Sequence, residues 1–200
     1  MRHRTGQAFA LVIGLITILQ GCSSSSTDSS KGSVSLSVAA TRTTAAGVAA
    51  ATLDDGSDAL SHLQAATITV GSAEVHQVDG TWVMVDRGLP VTIDLLAILT
   101  SGGSASLPAD LIPEGHYDSL QLTITKVDLT LLDGTKISVT PPGLGWTVTL
   151  AVDFTVVAGQ ETTIHLNLHC DGSFHLINGT FEFDPEIDID DVEHDGSMHH

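Results

Sequence analysis

The chain has 200 residues, room for one domain with a real hydrophobic core or for two very small ones. Acidic residues number 24 against 7 basic ones, and Arg2 and Arg4 fall in the leader, which leaves 5 against 24, a balance of −19. That balance excludes sequence-independent binding to nucleic acid or an anionic bilayer, and having only Cys22 and Cys170 excludes a multi-disulfide scaffold.

Met1 to Arg4 is a basic segment, and Ala8 to Leu19 (AFALVIGLITIL) is an apolar run of 12 residues. A membrane span needs about 20 apolar residues, so residues 1–21 are expected to be a signal peptide. The run ends in Leu19-Gln20-Gly21-Cys22, which resembles the lipobox of bacterial lipoproteins. That resemblance implies a diacylglyceryl thioether on Cys22 plus an N-acyl chain of the palmitate type. At ~0.8 kcal/mol per buried methylene, two or three such chains hold the protein on the membrane. Ser23, not Asp, follows the cysteine, so the usual bacterial sorting pattern points to the outer membrane. Residues 22–32 are serine-rich and patternless, a flexible tether. With Cys22 acylated, Cys170 has no intramolecular partner and is expected to be buried and inert.

From residue 33 the dominant period is two, which predicts a β domain over 33–190. Val34, Leu36 and Val38 alternate with serines. Residues 41–58 are an Ala/Thr-rich insertion, loose or forming one short helix, and Ser57 to Leu63 reads as one further helical turn. Strands are predicted at 66–78, 81–86, 91–99, 117–125, 127–132 and 135–139. The region of Ser104 and Ser106 reads as a flexible loop. In 117–132 the phase slips: Leu120, Leu122 and Ile124 are even-numbered, whereas Val127, Leu129 and Leu131 are odd. One residue of slip turns every side chain to the other face, so a bulge or break is expected near Lys126. The longest alternation runs from Trp146 to Val156. Two more follow, from Ile164 to Cys170 and, as one acidic strand, from Phe181 to Asp190. Asn178-Gly179, flanked by alternating residues, is a strong hairpin signal. Many short strands ended by turn residues predict an all-β, antiparallel β-sandwich in a single domain, followed by an acidic and histidine-rich tail at 191–200.

Several landmarks share one order along the chain. They are Gly32-Ser33-Val34-Ser35-Leu36, Ala66-Thr67-Ile68-Thr69-Val70 with Val75-His76, Trp82-Val83, and Val91-Thr92-Ile93-Asp94-Leu95-Leu96-Ala97-Ile98. Ile112-Pro113-Glu114-Gly115-His116-Tyr117, Phe154-Thr155-Val156-Val157-Ala158-Gly159 and Asn178-Gly179-Thr180-Phe181 complete the series. Together they resemble the bacterial domain of unknown function 4382 family in its lipoprotein form, over nearly all of 32–190. The resemblance implies a fold and an envelope location but carries no activity. Gln121 stands where the family often has Arg, and the Ala/Thr-rich insertion where it usually has Asp-Ala-Pro.

Three patterns raise chemical questions. His165, His169 and His175 suggest a metal, yet residues four apart on one strand are separated by about 13 Å, too far to share one ligand sphere. A site would need His175 or a distant carboxylate to fold back onto His169. The second pattern is the acidic strand, with eight carboxylates and no Lys or Arg from 182 to 195. Calcium takes six to eight oxygens, so Asp184, Glu186, Asp188 and Asp190 are candidate ligands with help from a neighbouring strand. Otherwise they make a charged face that blocks edge-to-edge association. The third pattern is aromatic: Trp146, Phe181 and Phe183 lie on the apolar phase and Trp82 and Tyr117 on family landmarks, so core packing is expected for all five. No G-x-S-x-G elbow, H-E-x-x-H pair or phosphate-binding glycine loop is present.

The expected function is therefore non-catalytic: a lipid-anchored binding or structural module of the cell envelope that needs no cofactor. It would hold the membrane through Cys22, with an envelope protein or a glycan as partner and no nucleic acid. The alternative is a divalent-cation-binding envelope protein using residues 182–190.

Overall fold

The computed structural model describes residues 30–42 and 59–195. In chain order these form β1 (Lys31–Thr41), a 3-10 turn (Ala59–His62), β2 (Leu63–Gln77), β3 (Trp82–Met84), β4 (Val91–Asp94), α1 (Leu95–Ser101), β5 (Ser104–Pro113) and β6 (Gly115–Leu131). There follow β7 (Lys136–Val139), β8 (Trp146–Val156), β9 (Glu161–His169), α2 (Cys170–Ser173), β10 (Phe174–Ile177), β11 (Thr180–Phe183) and β12 (Ile187–Asp195).

One sheet has the order β12–β9–β1–β5. The other is built on the long pair β2 and β6: β3 and β4 share the free side of β2, and β7 and β8 share the free side of β6. Inward side chains of both sheets belong to one apolar cluster, among them Leu36, Ile68, Leu120, Val127, Ile164 and Leu168. The hairpin β10–β11 adds Phe174, Phe181 and Phe183 to it. This is the all-β sandwich that the alternation predicts.

One pairing departs from antiparallel order. β1 lies parallel to β9, Ser33–Thr41 against Glu161–His169. Alternation tells which side chains share a face but carries no sign for a neighbour's direction, so this could not be read from the chain. As a central strand β1 buries its serine face as well, including Ser35 and Ser37. Both are satisfied. Ser35 Oγ donates to Glu161 Oε1 at 3.0 Å and lies 2.9 Å from Thr163 Oγ1, and Ser37 Oγ donates to Ser104 Oγ at 2.9 Å.

The phase slip in β6 is a bulge, as expected near Lys126. Thr69 pairs with Lys126 but Val70 pairs with Ile124, so Thr125 is the extra residue. Thr125 and Lys126 are both exposed, while Ile124 and Val127 on either side are buried. The partner strand slips at the same level. Val70 pairs with Ile124 and Ser72 with Thr123, leaving Gly71 unmatched. The inward set of β2 accordingly changes from Ile68 and Val70 to Ala73 and Val75. Gly71 has to lack a side chain, because a Cβ there would overlap the methyl of Thr125. Asn178-Gly179 also behaves as its sequence suggests: φ values of 51° and 79° make a left-handed two-residue turn that pairs Ile177 with Thr180.

Three segments differ from expectation. The strand predicted over 91–99 lasts only through Asp94, whose carboxylate accepts the Ala97 N–H at 3.1 Å and starts α1. Leu95 and Ile98, one turn apart, are its buried face, and Gly102 (φ 68°) ends it. Residues 104–113, read as a loop at Ser104 and Ser106, form β5, which hydrogen-bonds along β1 and buries Leu107 and Ile112. The strand predicted over 181–190 is divided at Asp184-Pro185-Glu186, where Pro185 lacks a ladder donor. Its second part, β12, continues past residue 190 to Asp195 because it pairs with β9 along that length. At the other end, β1 begins at Lys31, paired with Pro113. Cys22, the tether through Ser29, residues 43–58 of the insertion and residues 196–200 lie outside the described residues.

The paired slips generate a test. Deleting Thr125 alone brings Leu120, Leu122, Ile124, Val127 and Leu129 into one alternating phase on β6 but leaves Gly71 on β2 without the slip that answers it. Urea melts should show this deletion destabilised by about 1–3 kcal/mol and Thr125→Ala within about 1 kcal/mol of the parent. Deleting Gly71 together with Thr125 leaves an unbroken ladder and should recover most of the stability. No recovery would mean that the two slips do not compensate one another.

Candidate functional site

The acidic strand β12 is an edge strand, and the histidine-bearing strand β9 is its neighbour. Antiparallel pairing sets Asp188 opposite Asn167 and Asp191 opposite His165, with a register shift between Ile189 and Asp191. His169 Nε2 lies 3.3 Å from Asp188 Oδ2, and its Nδ1 lies 3.1 Å from Thr41 Oγ1. His165 Nε2 lies 3.4 Å from Glu193 Oε2, and His194 Nδ1 lies 3.1 Å from Thr162 Oγ1. The chain therefore answers its own row of carboxylates with imidazoles from the next strand, a pairing that distance along the sequence conceals.

The remaining candidates are dispersed. His175 is on β10 opposite Glu182, in the hairpin rather than in the sheet that carries His165 and His169. Asp184 and Glu186 sit in the link before β12; their backbone N–H groups donate to Ser173 O and Ser173 Oγ, each at 2.9 Å. Asp190 is exposed at the register shift. Among the described residues, no three His, Cys, Asp or Glu side chains group around a common metal position.

The outward face of the second sheet presents another surface. At one end four strands lie in register. Met84, Glu74, Gln121 and Thr149 form one row, and Trp82, His76, Ser119 and Ala151 the next. Ser72, Thr123 and Thr147 form a third. Gln121 Nε2 donates to Thr149 Oγ1 at 3.1 Å, and the hydroxyls of Thr123 and Thr147 are 3.3 Å apart. His76 Nδ1 lies 2.7 Å from Asp118 Oδ1, which also accepts from Ser119 Oγ at 3.1 Å. Those hydrogen bonds, His76 first, hold the Asp118 carboxyl below its usual range. His116 Nε2 reaches Asp153 Oδ1 at 2.5 Å just beyond.

Trp82 corrects an expectation. It is 41% exposed, with Met84 at 48%, and its ring lies 4.9 Å from that of His76 at an interplanar angle of 54°. The signal was in the chain: in Trp82-Val83-Met84-Val85 the two valines share the inward phase and leave the larger side chains outside. Tyr117, Trp146, Phe181 and Phe183 are buried as expected, and Tyr117 Oη donates to Pro113 O at 2.8 Å. A groove of about 590 Å³ opens between β7 and β11, lined by Trp146, Phe181, Phe183, Ile137 and Val139.

A family model described as a domain of unknown function, DUF4382, matches residues 55–185, the stretch from ahead of β2 through β11. No curated protein and no solved structure matches the chain.

Cys170, the first residue of α2, is buried, as its lone thiol was expected to be. Burial pushes the thiol up to about 12; Arg42 pulls the other way and Asp171 adds to the rise. A raised thiol favours the folded state fully below about pH 9, and that share is lost as the pH climbs toward 12. Ellman's reagent at pH 8 should therefore leave Cys170 unmodified in the folded protein and label it fully in denaturant. Rapid labelling without denaturant would contradict the burial.

Proposed function

Since the chain belongs to the DUF4382 family, whose membership carries a fold and no activity, we propose that it is a lipid-anchored bacterial envelope protein with a non-catalytic binding or structural β-sandwich. The observation that carries this reading is the way its polar side chains are used. On the outward face of the β2–β6 sheet they are tied sideways in pairs across strands, Gln121 to Thr149 and Thr123 to Thr147, rather than aimed at one reacting point. Such an arrangement suits contact with an extended partner. Anchoring is supported by the basic segment, the 12-residue apolar run and Gly21-Cys22-Ser23. The tether then sets the domain, which begins at Lys31, just beyond the acyl chains of an outer membrane lipoprotein.

Cys22→Ser tests the anchor. Only the thiol can take the diacylglyceryl group, so the variant should lose palmitate label entirely and migrate as the uncleaved precursor. Persisting label would sink the assignment.

A divalent-cation role for β12 is the second reading, favoured by Asp188, Asp190, Asp191, Glu193 and Asp195 within nine residues. A specific site gives saturable stabilisation that follows RT ln(1 + [L]/Kd) at constant ionic strength, whereas screening of like charges depends on ionic strength alone. Melting curves across calcium concentrations, for the parent and an Asp188→Asn, Asp190→Asn double variant, separate the two. With no calcium-specific shift at millimolar concentration, the carboxylates serve as a charged edge.

A further inference from the structure

Resting on the binding-module reading, and naming its ligand class, we infer that the outward face around Trp82 binds an uncharged, β-linked hexopyranose chain. Three features of the structure converge there. The first is an exposed aromatic ring on a strand whose inward residues already fill the core, with Val85 buried and Val83 half-buried. Trp82 contributes nothing to that core that a polar residue would forfeit. Its ring is set by contact with His76, which Asp118 fixes in turn. An aromatic face carries negative charge density that attracts the C–H groups lining the flat side of a pyranose ring.

The second feature is the row beside it. Glu74, Gln121 and Thr149 offer acceptors and donors at strand spacing, about 4.8 Å from one to the next. Four strands make a platform about 14 Å across, and residues two apart on one strand add about 6.7 Å in the other direction. Because Gln121 is already held by Thr149, less side-chain freedom is lost on binding. An extended, flat, β-linked chain can lie on such a surface, whereas a helical α-linked chain cannot.

The third feature is charge. A chain with 24 acidic and 7 basic residues repels polyanions. A cationic partner is drawn instead to β12, where Asp188, Asp190, Asp191, Glu193 and Asp195 are exposed. On the Trp82 face Asp118 and Asp153 already have imidazole partners. Beside the Glu74 carboxylate, hydroxyl, amide and aromatic groups make up what is left, the chemistry that holds neutral sugars.

The chain has two tryptophans, and Trp146 is buried, so Trp82 reports on this face once Trp146 is replaced by Phe. Full-length protein in a polyoxyethylene detergent is titrated with cellohexaose, mannohexaose and maltohexaose, by Trp82 fluorescence in Trp146→Phe and by calorimetry in the parent. At least one of the two β-linked chains should bind saturably, with an affinity unchanged by added NaCl, and the α-linked maltohexaose should bind far more weakly. Trp82→Ala should lower the affinity about tenfold or more while leaving the melting temperature near the parent's, and Gln121→Ala should lower it less. Neither β-linked chain binding at millimolar concentration overturns the inference, as does undiminished binding by folded Trp82→Ala. A lysine-rich peptide is the companion probe. If it alone binds, with salt-sensitive affinity that Asp188→Asn, Asp190→Asn abolishes, the glycan inference fails while the binding-module reading stands.

Discussion

The fold depends on a matched defect in its central ladder. β2 and β6 are too long to stay in one phase, and each carries an extra residue at the same level, Gly71 on one and Thr125 on the other. Run straight through this level, either strand would turn half of its apolar side chains to solvent; the slip in each keeps it inward along its whole length, and the two slips face each other across the ladder. The small residue and the bulkier one fit together, since Thr125 occupies the space a side chain at position 71 would need. The Thr125 hydroxyl also donates to Thr69 O at 3.3 Å.

That row divides the sheet into two working halves. On one side β3 and β8 extend the ladder, bringing Trp82, Glu74, Gln121 and Thr149 into common rows. On the other, β4 and β7 extend it, and β7 becomes the wall of the groove that faces β11. The flat polar platform and the apolar groove are thus products of one ladder, separated by its irregularity.

Charge is distributed with the same economy. A strongly acidic chain with few lysines and arginines draws counter-charge from histidine: among the described residues, four of the five ion pairs join an imidazole to a carboxylate, and the fifth is Lys126 with Asp128. Two of the four tie β12 to β9, where the exposed carboxylates of an edge strand also discourage pairing with another chain. The outward face around Trp82 pairs Asp118 and Asp153 with imidazoles and presents hydroxyls, an amide and the Glu74 carboxylate.

Much of this was legible in the sequence. Alternation located β8 from Trp146 to Val156 without error, the change of parity after Ile124 located the bulge, and Asn178-Gly179 located a hairpin, because each is a local property of a few consecutive side chains. The helix after Asp94 was equally local, but an alternating Val91-Thr92-Ile93 outweighed the cap and the glycine at 102. Trp82 was expected in the core for its place on a family landmark, whereas the phase of its neighbours Val83 and Val85 turns it outward. What no local pattern carries is who lies beside whom. The parallel pairing of β1 with β9, the imidazoles of His165 and His169 against the carboxylates of Glu193 and Asp188, and the rows that join Trp82 to Gln121 all link residues distant in sequence. Periodicity by itself determined the faces of the strands, since a side chain's direction follows from its own backbone. Only the tertiary structure decided their neighbours, since strand order and direction are set by the packing of the whole core.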